Sequence, residues 1–137
     1  MKKMRLKNSQ LSGFGSTRRP HIKPEQDENL KNLVSAGTGV VTIFGKSWDF
    51  HVIHALKTTL EENLQMISDS VRFLKTKGKT VFYDAEHFFD AYRDNSDYAL
   101  KTLLAAQDAG SQAIILCDTN GGTITSEVKR IVAEVKP

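Results

Sequence analysis

The feature that most constrains the fold is the alternation of short apolar runs with segments of helical periodicity. The runs occupy residues 10–14, 40–44, 80–83 and 113–117, and each leads through a polar stretch into a helical pattern. In the clearest pattern, apolar residues recur at spacings of three and four from Leu56 to Leu74, on one helix face. Residues 40–44 lack polar alternation, which indicates a strand buried on both faces. The sequence therefore predicts an α/β fold of four consecutive βα units around a parallel sheet.

Two architectures are compatible with four such units. The length of 137 residues favours a single domain without a second core. A small doubly wound parallel sheet would be complete at this length. A (β/α)8 TIM barrel needs about 250 residues, so the chain would form only part of one. In both folds, functional residues are expected in the loops that follow the carboxyl ends of the strands.

Composition and charge indicate which partners and which cellular location to expect for the chain. The net charge is +3 and the pI about 9.0, with the basic excess near the amino terminus. No nucleic-acid-binding motif accompanies these charges, so we expect a solvated surface and no nucleic-acid partner. No apolar run reaches the roughly 18 residues of a membrane span, and no membrane association is expected. Cys117 is the sole cysteine, which excludes an internal disulfide and favours a reducing, cytoplasmic location.

The polar and aromatic segment of residues 83–90, predicted to be a loop after the third strand, carries candidate chemistry. Asp84 and Glu86 are two residues apart, so in extended chain their carboxylates point to the same side. Paired carboxylates beside His87 can perform general acid–base chemistry or hold a divalent cation. A solvated loop that begins a helix explains the same acidic residues equally well.

A second candidate segment, residues 118–122, directly follows the fourth run. Gly121 and Gly122 would allow backbone amides to approach a ligand, and the start of the following helix favours anions. A tight turn explains the same glycines without a ligand. The hydroxyl of Thr119 is the group in this segment that can donate a hydrogen bond to a substrate carboxylate.

Several motifs together resemble a known enzyme family. Residues 15–19, 40–49, 58–63, 83–90 and 117–122 resemble, in order and spacing, the (R)-citramalate synthase branch of the 2-isopropylmalate synthase and homocitrate synthase family. The resemblance implies a metal-dependent TIM barrel similar to HMG-CoA lyase, of which this chain forms the third to sixth strands. It also implies an acyltransferase of isoleucine or leucine biosynthesis, with acetyl-CoA and an α-keto acid, pyruvate or 2-ketoisovalerate, as partners.

By this resemblance, Glu86 is the catalytic residue and Thr119 binds the keto-acid carboxylate. Asp84, Asn120 and Arg18 are further candidates for substrate contacts. The family's divalent metal (Mg, Mn or Zn) is bound by a first-strand arginine–aspartate motif and a His-x-His pair, neither of which this sequence contains, so no metal ligand is expected here. We therefore expect an acyltransferase segment that is inactive alone and self-associates. The alternative is a non-catalytic module that binds an anion or a partner.

Overall fold

The sheet consists of four parallel strands in chain order. The structure is a computed structural model and describes residues 6–135. Its strands pair in the order β1-β2-β3-β4, each parallel to the next. They are β1 (Ser12–Ser16), β2 (Val40–Lys46), β3 (Thr80–Glu86) and β4 (Ala113–Leu116). The four predicted strands and the α/β class are thus confirmed.

The predicted bounds of the four strands need correction. β1 lies at Ser12–Ser16, two residues later than the run of residues 10–14, and β4 ends at Leu116, one residue before the end of its run. β2 continues to Lys46, and β3 continues through Asp84 to Glu86, so the loop predicted from residue 83 begins only after Glu86. The register pairs Phe44 with Asp84 and Lys46 with Glu86. Polar side chains do not interrupt the ladder here, because they project from the sheet face opposite the helices while the backbone hydrogen bonds continue.

Helices follow the strands and cover one face of the sheet. Side-chain caps begin three of them: Asp27 accepts from the amide of Leu30, Thr59 from that of Glu62, and Asn95 from that of Tyr98. The helices are α1 (Glu28–Ser35), α2 (Asp49–His51) with a following π-helical turn (Val52–Leu56), α3 (Leu60–Thr76), α4 (Phe88–Asp94), α5 (Ser96–Asp108) and α6 (Thr125–Val135), and a 3-10 turn (Pro24–Gln26) precedes α1.

One predicted helix starts later than its apolar periodicity suggested. The pattern placed Leu56 on the main helix, but Lys57 adopts left-handed backbone angles with φ of 54° and separates the π-helical turn from α3. The Thr59 cap then begins α3 at Leu60. None of the helices within residues 6–135 has the length and apolar character needed to cross a membrane.

The two faces of the sheet differ in burial. The face toward the helices is the core, with Val41, Ile43 and Tyr83 fully buried. On the opposite face, here called the inner face, Phe14 is 65% exposed and Ile115 is 39% exposed. The expectation that residues 40–44 are buried on both faces is met on the helix side, whereas Thr42 and Phe44 on the inner face are only partly buried.

Strand order and one-sided coverage decide between the two architectures. A doubly wound sheet reverses its strand order at a switch point and carries helices on both faces. Here the order follows the chain without reversal, and helices cover one face. Both properties belong to consecutive strands of a (β/α)8 barrel, whose inner face points to the barrel axis. The alternative of a small doubly wound sheet is therefore wrong.

The packing of β2 against β3 gives a first testable prediction. A Cβ atom added to Gly45 would lie 2.7 Å from the hydroxyl oxygen of Tyr83, whose ring is fully buried. Overpacking of this kind costs about 1–3 kcal/mol, so we expect Gly45→Ala to lower the free energy of unfolding by that amount. Gly39→Ala is the matched control, since a Cβ there meets nothing within 4 Å. Equal urea midpoints for the two variants would contradict the prediction.

Candidate functional site

An ion pair on the inner face marks the carboxyl ends of β2 and β3. The ammonium nitrogen of Lys46 lies 2.6 Å from a carboxylate oxygen of Glu86, and both side chains are mostly buried. Behind them, the fully buried side-chain amide of Asn63 donates to the carbonyl of Lys46 and to the hydroxyl of Tyr98, both at 2.8 Å. These contacts fix the end of β2, and with it the ammonium group that holds Glu86.

Asp84 lies on the same face as Glu86, as their spacing predicted. The burial of β3 alternates, with Val81, Tyr83 and Ala85 on the helix side. Burial raises the pKa of Asp84 above its ordinary value. The inner face therefore carries one carboxylate that is paired with a cation and one that is destabilised as an anion.

Cys117 follows β4 and adjoins these carboxylates. Burial, with smaller contributions from the charges of Asp84 and Glu86, raises the pKa of its thiol to about 11. The thiol is therefore protonated at neutral pH and unsuited to nucleophilic chemistry. The run of residues 113–117 placed Cys117 at the end of the fourth strand, but β4 ends at Leu116, so Cys117 is the first residue after it.

The loops after β3 and β4 are joined by side-chain hydrogen bonds. The hydroxyl oxygen of Thr119 accepts from the backbone amide of His87 at 2.9 Å. The side-chain amide of Asn120 donates to a carboxylate oxygen of Asp90, also at 2.9 Å. The structure thus holds Thr119 and Asn120 against the segment that directly follows Glu86.

The turn after β4 accounts for one of its glycines without a ligand. Gly121 has φ of 65°, and its amide donates to the carbonyl of Asp118 at 2.9 Å. The carboxylate of Asp118 accepts from the backbone amide and the hydroxyl of Thr123. These bonds close the turn before α6 begins, which favours the tight-turn interpretation over an anion site at Gly121 and Gly122.

Arg18, predicted as a substrate contact, directs its guanidinium to α3. The group lies 2.7 Å from a carboxylate oxygen of Glu62 and 2.9 Å from one of Asp69, and its side chain is 6% exposed. Desolvation alone would lower the pKa of Arg18, but the two carboxylates outweigh it and the pKa is raised. In this arrangement protein carboxylates occupy the donors that a substrate would need.

Three aromatic or basic residues near the site were not among the predicted site residues. They are Lys46, Trp48 and His51. The ring of His51 meets that of His87 edge-on, with 4.6 Å between the ring centroids, and Trp48 packs against both imidazoles. Burial, followed by the charges of His87 and Lys46, lowers the pKa of His51, so its imidazole is neutral at pH 7. The position of Lys46 at the end of a strand is the signal that sequence reasoning could have used.

The donor groups present do not fit a metal centre. Within residues 6–135, no group of three or more His, Cys, Asp or Glu side chains is arranged to hold a metal ion. Glu86 is instead neutralised by Lys46. This arrangement suits binding and proton transfer rather than coordination of a divalent cation.

The raised pKa of Asp84 predicts a pH-dependent mutant effect. A carboxyl whose pKa is higher in the folded than in the unfolded state begins to destabilise the fold as the pH rises above its unfolded-state pKa, and the effect is complete above its folded-state pKa. We therefore expect Asp84→Asn to increase the free energy of unfolding at pH 7, and the gain to vanish in acid where Asp84 is protonated in both states. Urea unfolding of both proteins across this range measures the difference, and a gain that persists in acid would contradict the stated cause.

The sequence of this chain is similar to parts of known synthases. No family model matches the chain. The (R)-citramalate synthase of Geobacter sulfurreducens is 55% identical over 136 residues, which is 99% of this chain and 26% of that enzyme. The enzyme of the same name from Aquifex aeolicus is 55% identical over 135 residues, or 98% of this chain and 26% of its own length. A 2-isopropylmalate synthase from Sulfolobus acidocaldarius is 35% identical over 94 residues, 69% of this chain and 24% of its own length.

A solved structure shares the fold. HMG-CoA lyase from Bacillus subtilis, a TIM barrel, matches with a TM-score of 0.75 and 13% identity over 96% of this chain and 42% of the lyase. The chain spans about a quarter of the length of the synthases that it matches. On this sequence similarity, together with four consecutive strands of a barrel, the chain belongs to the (R)-citramalate synthase and 2-isopropylmalate synthase family of acyltransferases.

Proposed function

We propose that this chain supplies part of the substrate pocket of an acyltransferase that condenses acetyl-CoA with an α-keto acid. The observation that carries the proposal is the placement of Glu86 and Thr119 at the carboxyl ends of adjacent barrel strands. That edge of a (β/α)8 barrel is where active sites form. We assign β1–β4 to the third to sixth strands of the parent barrel, and the reaction to the cytoplasm because Cys117 is a free thiol.

Pyruvate is the keto acid that we propose. The similarity to (R)-citramalate synthases reaches 55% identity over nearly the whole chain, whereas that to a 2-isopropylmalate synthase is 35% over 94 residues. The rival substrate, 2-ketoisovalerate, carries a branched side chain that needs a larger apolar pocket. On the inner face, the charged groups of Lys46, Asp84 and Glu86 lie together, which favours the smaller keto acid.

Thr119 has the geometry of a carboxylate donor. Its oxygen accepts a hydrogen bond from the amide of His87, and its hydroxyl proton can still donate to a substrate. The side chain is exposed and open to a substrate. Asp84 and Asn120 are proposed as further substrate contacts, because they flank Glu86 and Thr119 on the same edge of the sheet.

Glu86 has the geometry of an acid–base or polarising group. In the condensation, the acetyl methyl group loses a proton and its carbon bonds to the keto carbon, whose oxygen takes up negative charge; water then releases CoA from the thioester. A fixed carboxylate close to a cation suits either proton transfer or orientation of the reacting carbonyl. The resemblance also implies a divalent metal, for which the donor set of the described residues is not suited.

We also propose that the chain has no synthase activity by itself. The preorganised charge that such a condensation needs is spread over a whole barrel, and this chain spans 26% of the Geobacter enzyme. Incubation of the purified chain with pyruvate and acetyl-CoA is therefore expected to release no free CoA thiol. Release above the blank rate would contradict this part of the proposal.

A segment exchange tests the function itself. The 136 matched residues of the Geobacter enzyme are replaced by those of this chain, and CoA thiol release is assayed with pyruvate and with 2-ketoisovalerate. We expect the exchanged enzyme to retain activity, with pyruvate as the preferred keto acid. A folded exchange enzyme without activity would contradict the proposed function, and a preference for 2-ketoisovalerate would contradict the choice of pyruvate.

A further inference from the structure

We propose that Lys46 is a further catalytic residue of the condensation, and that its ammonium group stabilises the enolate oxygen formed when acetyl-CoA loses a methyl proton to Glu86. The inference rests on the proposed function and adds the group that holds the negative charge of the intermediate. It is carried by the placement of the ammonium nitrogen, which lies 2.6 Å from a carboxylate oxygen of Glu86 at the carboxyl end of β2.

Contacts within the chain hold the ammonium group of Lys46 in place. The register of β2 and β3 sets Lys46 opposite Glu86. The carbonyl of Lys46 accepts from the side-chain amide of Asn63 at 2.8 Å, and Asn63 is fully buried. The ammonium nitrogen also lies 5.9 Å from the centroid of the Phe44 ring, within the range of a cation–π contact. These contacts preorganise the charge, which is what electrostatic stabilisation of a developing anion requires.

The ammonium group has donors left for a substrate. It carries three N–H donors, and its one hydrogen bond within residues 6–135 is to Glu86. The side chain is 21% exposed, so water screens its charge only in part. An oxyanion that takes the place of the Glu86 carboxylate therefore meets a cation that is already largely desolvated.

The order of groups along the edge of the sheet places the acetyl group at Lys46. Neighbouring strands lie about 4.8 Å apart, and Glu86 on β3 stands between Lys46 on β2 and Thr119 after β4. With the keto-acid carboxylate at Thr119, as proposed above, the keto carbon lies beside Glu86. The acetyl group that attacks this carbon then approaches from the side of β2, with its thioester oxygen toward the ammonium of Lys46.

Proton transfer conserves charge around Lys46. The C–H bond of the acetyl methyl group breaks and its proton passes to the carboxylate of Glu86. The electron pair of that bond forms the C=C bond of the enolate, and the carbonyl pair moves to the thioester oxygen. The ammonium thus exchanges one anionic partner for another and is not left as an unpaired charge in a partly buried site, which would be costly. When the enolate carbon bonds to the keto carbon, the thioester carbonyl re-forms, and the keto oxygen takes up the negative charge and then the proton held by Glu86.

A pair of acetyl-CoA analogues tests the charge at Lys46 in the segment-exchange enzyme. S-carboxymethyl-CoA and S-acetonyl-CoA have nearly the same shape, but the first carries an anionic oxygen where the second carries a methyl group. Glu86→Gln stands for the protonated Glu86 that accompanies the enolate. In this variant we expect Lys46→Met to weaken calorimetrically measured binding of the carboxymethyl analogue about 10–100-fold, the effect of a lost hydrogen bond to a charged group. Binding of the acetonyl analogue should be unchanged.

Two further lysine variants complete the binding test. Lys46→Arg keeps the cation and is expected to retain tight binding of the carboxymethyl analogue. Lys77→Met is the matched control, because the ammonium of Lys77 lies 5.3 Å from the centroid of the Phe73 ring but near the amino end of β3, at the opposite edge of the sheet. Its affinities should equal those of the parent. Equal weakening of both analogues by Lys46→Met, or no weakening of either, would overturn the inference, and Lys46→Gln repeats the test if Lys46→Met does not fold.

Kinetics separate this inference from the proposed function. With Glu86 intact, Lys46→Met is expected to lower kcat with pyruvate about 10²–10³-fold, the usual effect of removing a donor to an oxyanion. An exchange enzyme that folds but is inactive before any substitution contradicts the proposed function. An active exchange enzyme whose kcat is insensitive to Lys46→Met contradicts the role of Lys46 alone.

Discussion

Glu86→Gln is expected to lower the kcat of the segment-exchange enzyme with pyruvate by about 10²–10⁴-fold, the usual contribution of a positioned acid or base. Glutamine has nearly the same shape and keeps an oxygen that can accept from the ammonium of Lys46, 2.6 Å away in the present chain. The substitution therefore removes the charge and the proton-accepting function of Glu86 while it preserves the packing. A large loss would come from chemistry and not from disorder of the strand end.

The separate effects of Glu86→Gln on kcat and on KM distinguish a catalytic role of Glu86 from a binding role. Steady-state CoA release is measured while pyruvate and acetyl-CoA are varied separately, with Glu61→Gln, an exposed residue of α3, as the control that should retain activity. A rise in KM for pyruvate with kcat unchanged would make Glu86 a binding residue only. Unchanged kinetics in both parameters would remove Glu86 from the site.

The strands could be predicted from sequence because their helix-facing side chains must be buried whatever the rest of the chain does. Val41, Ile43 and Val81 gave runs with an unmistakable β-branched character. Strand ends were missed where Asp84 and Glu86 face the barrel axis, because polar residues in a single sequence are typical of a loop. The inner face of a barrel carries such residues at its catalytic end, so the local pattern fails at the candidate site.

The sequence predicted part of the candidate site. What it did not predict are contacts between residues that lie far apart along the chain. Glu86 and Thr119 could be proposed from their positions just after apolar runs. The position of Lys46 at the end of a strand made it a candidate as well, but its ion pair with Glu86 could not be predicted, because the two residues lie 40 positions apart and only the pairing of β2 with β3 brings them together. The same limit applies to Arg18, whose carboxylate partners lie 44 and 51 positions along the chain.

The second large effect is expected from Arg18→Met in the isolated chain. The substitution removes a guanidinium that joins the end of β1 to α3 and leaves Glu62 and Asp69 without their cation. Loss of one partner of a buried pair costs about 3–5 kcal/mol, and because these carboxylates keep some contact with water we expect about 2–3 kcal/mol. Arg130→Met is the matched control, since Arg130 also pairs with two carboxylates but is half exposed.

The pH dependence of the Arg18→Met effect separates its electrostatic cause from lost packing. The hydrogen bond from Arg18 lowers the pKa of Glu62 in the folded chain, so the stability that this pair contributes is complete above the ordinary glutamate pKa and is lost as the pH falls through the lowered value. The difference in free energy of unfolding between wild type and variant should therefore shrink in acid. A difference that stays constant with pH would indicate packing alone. A third outcome would support the original prediction of Arg18 as a substrate contact. In it, Arg18→Met leaves the free energy of unfolding unchanged but raises the KM for pyruvate in the segment-exchange enzyme, because a residue that binds substrate is needed for affinity and not for folding.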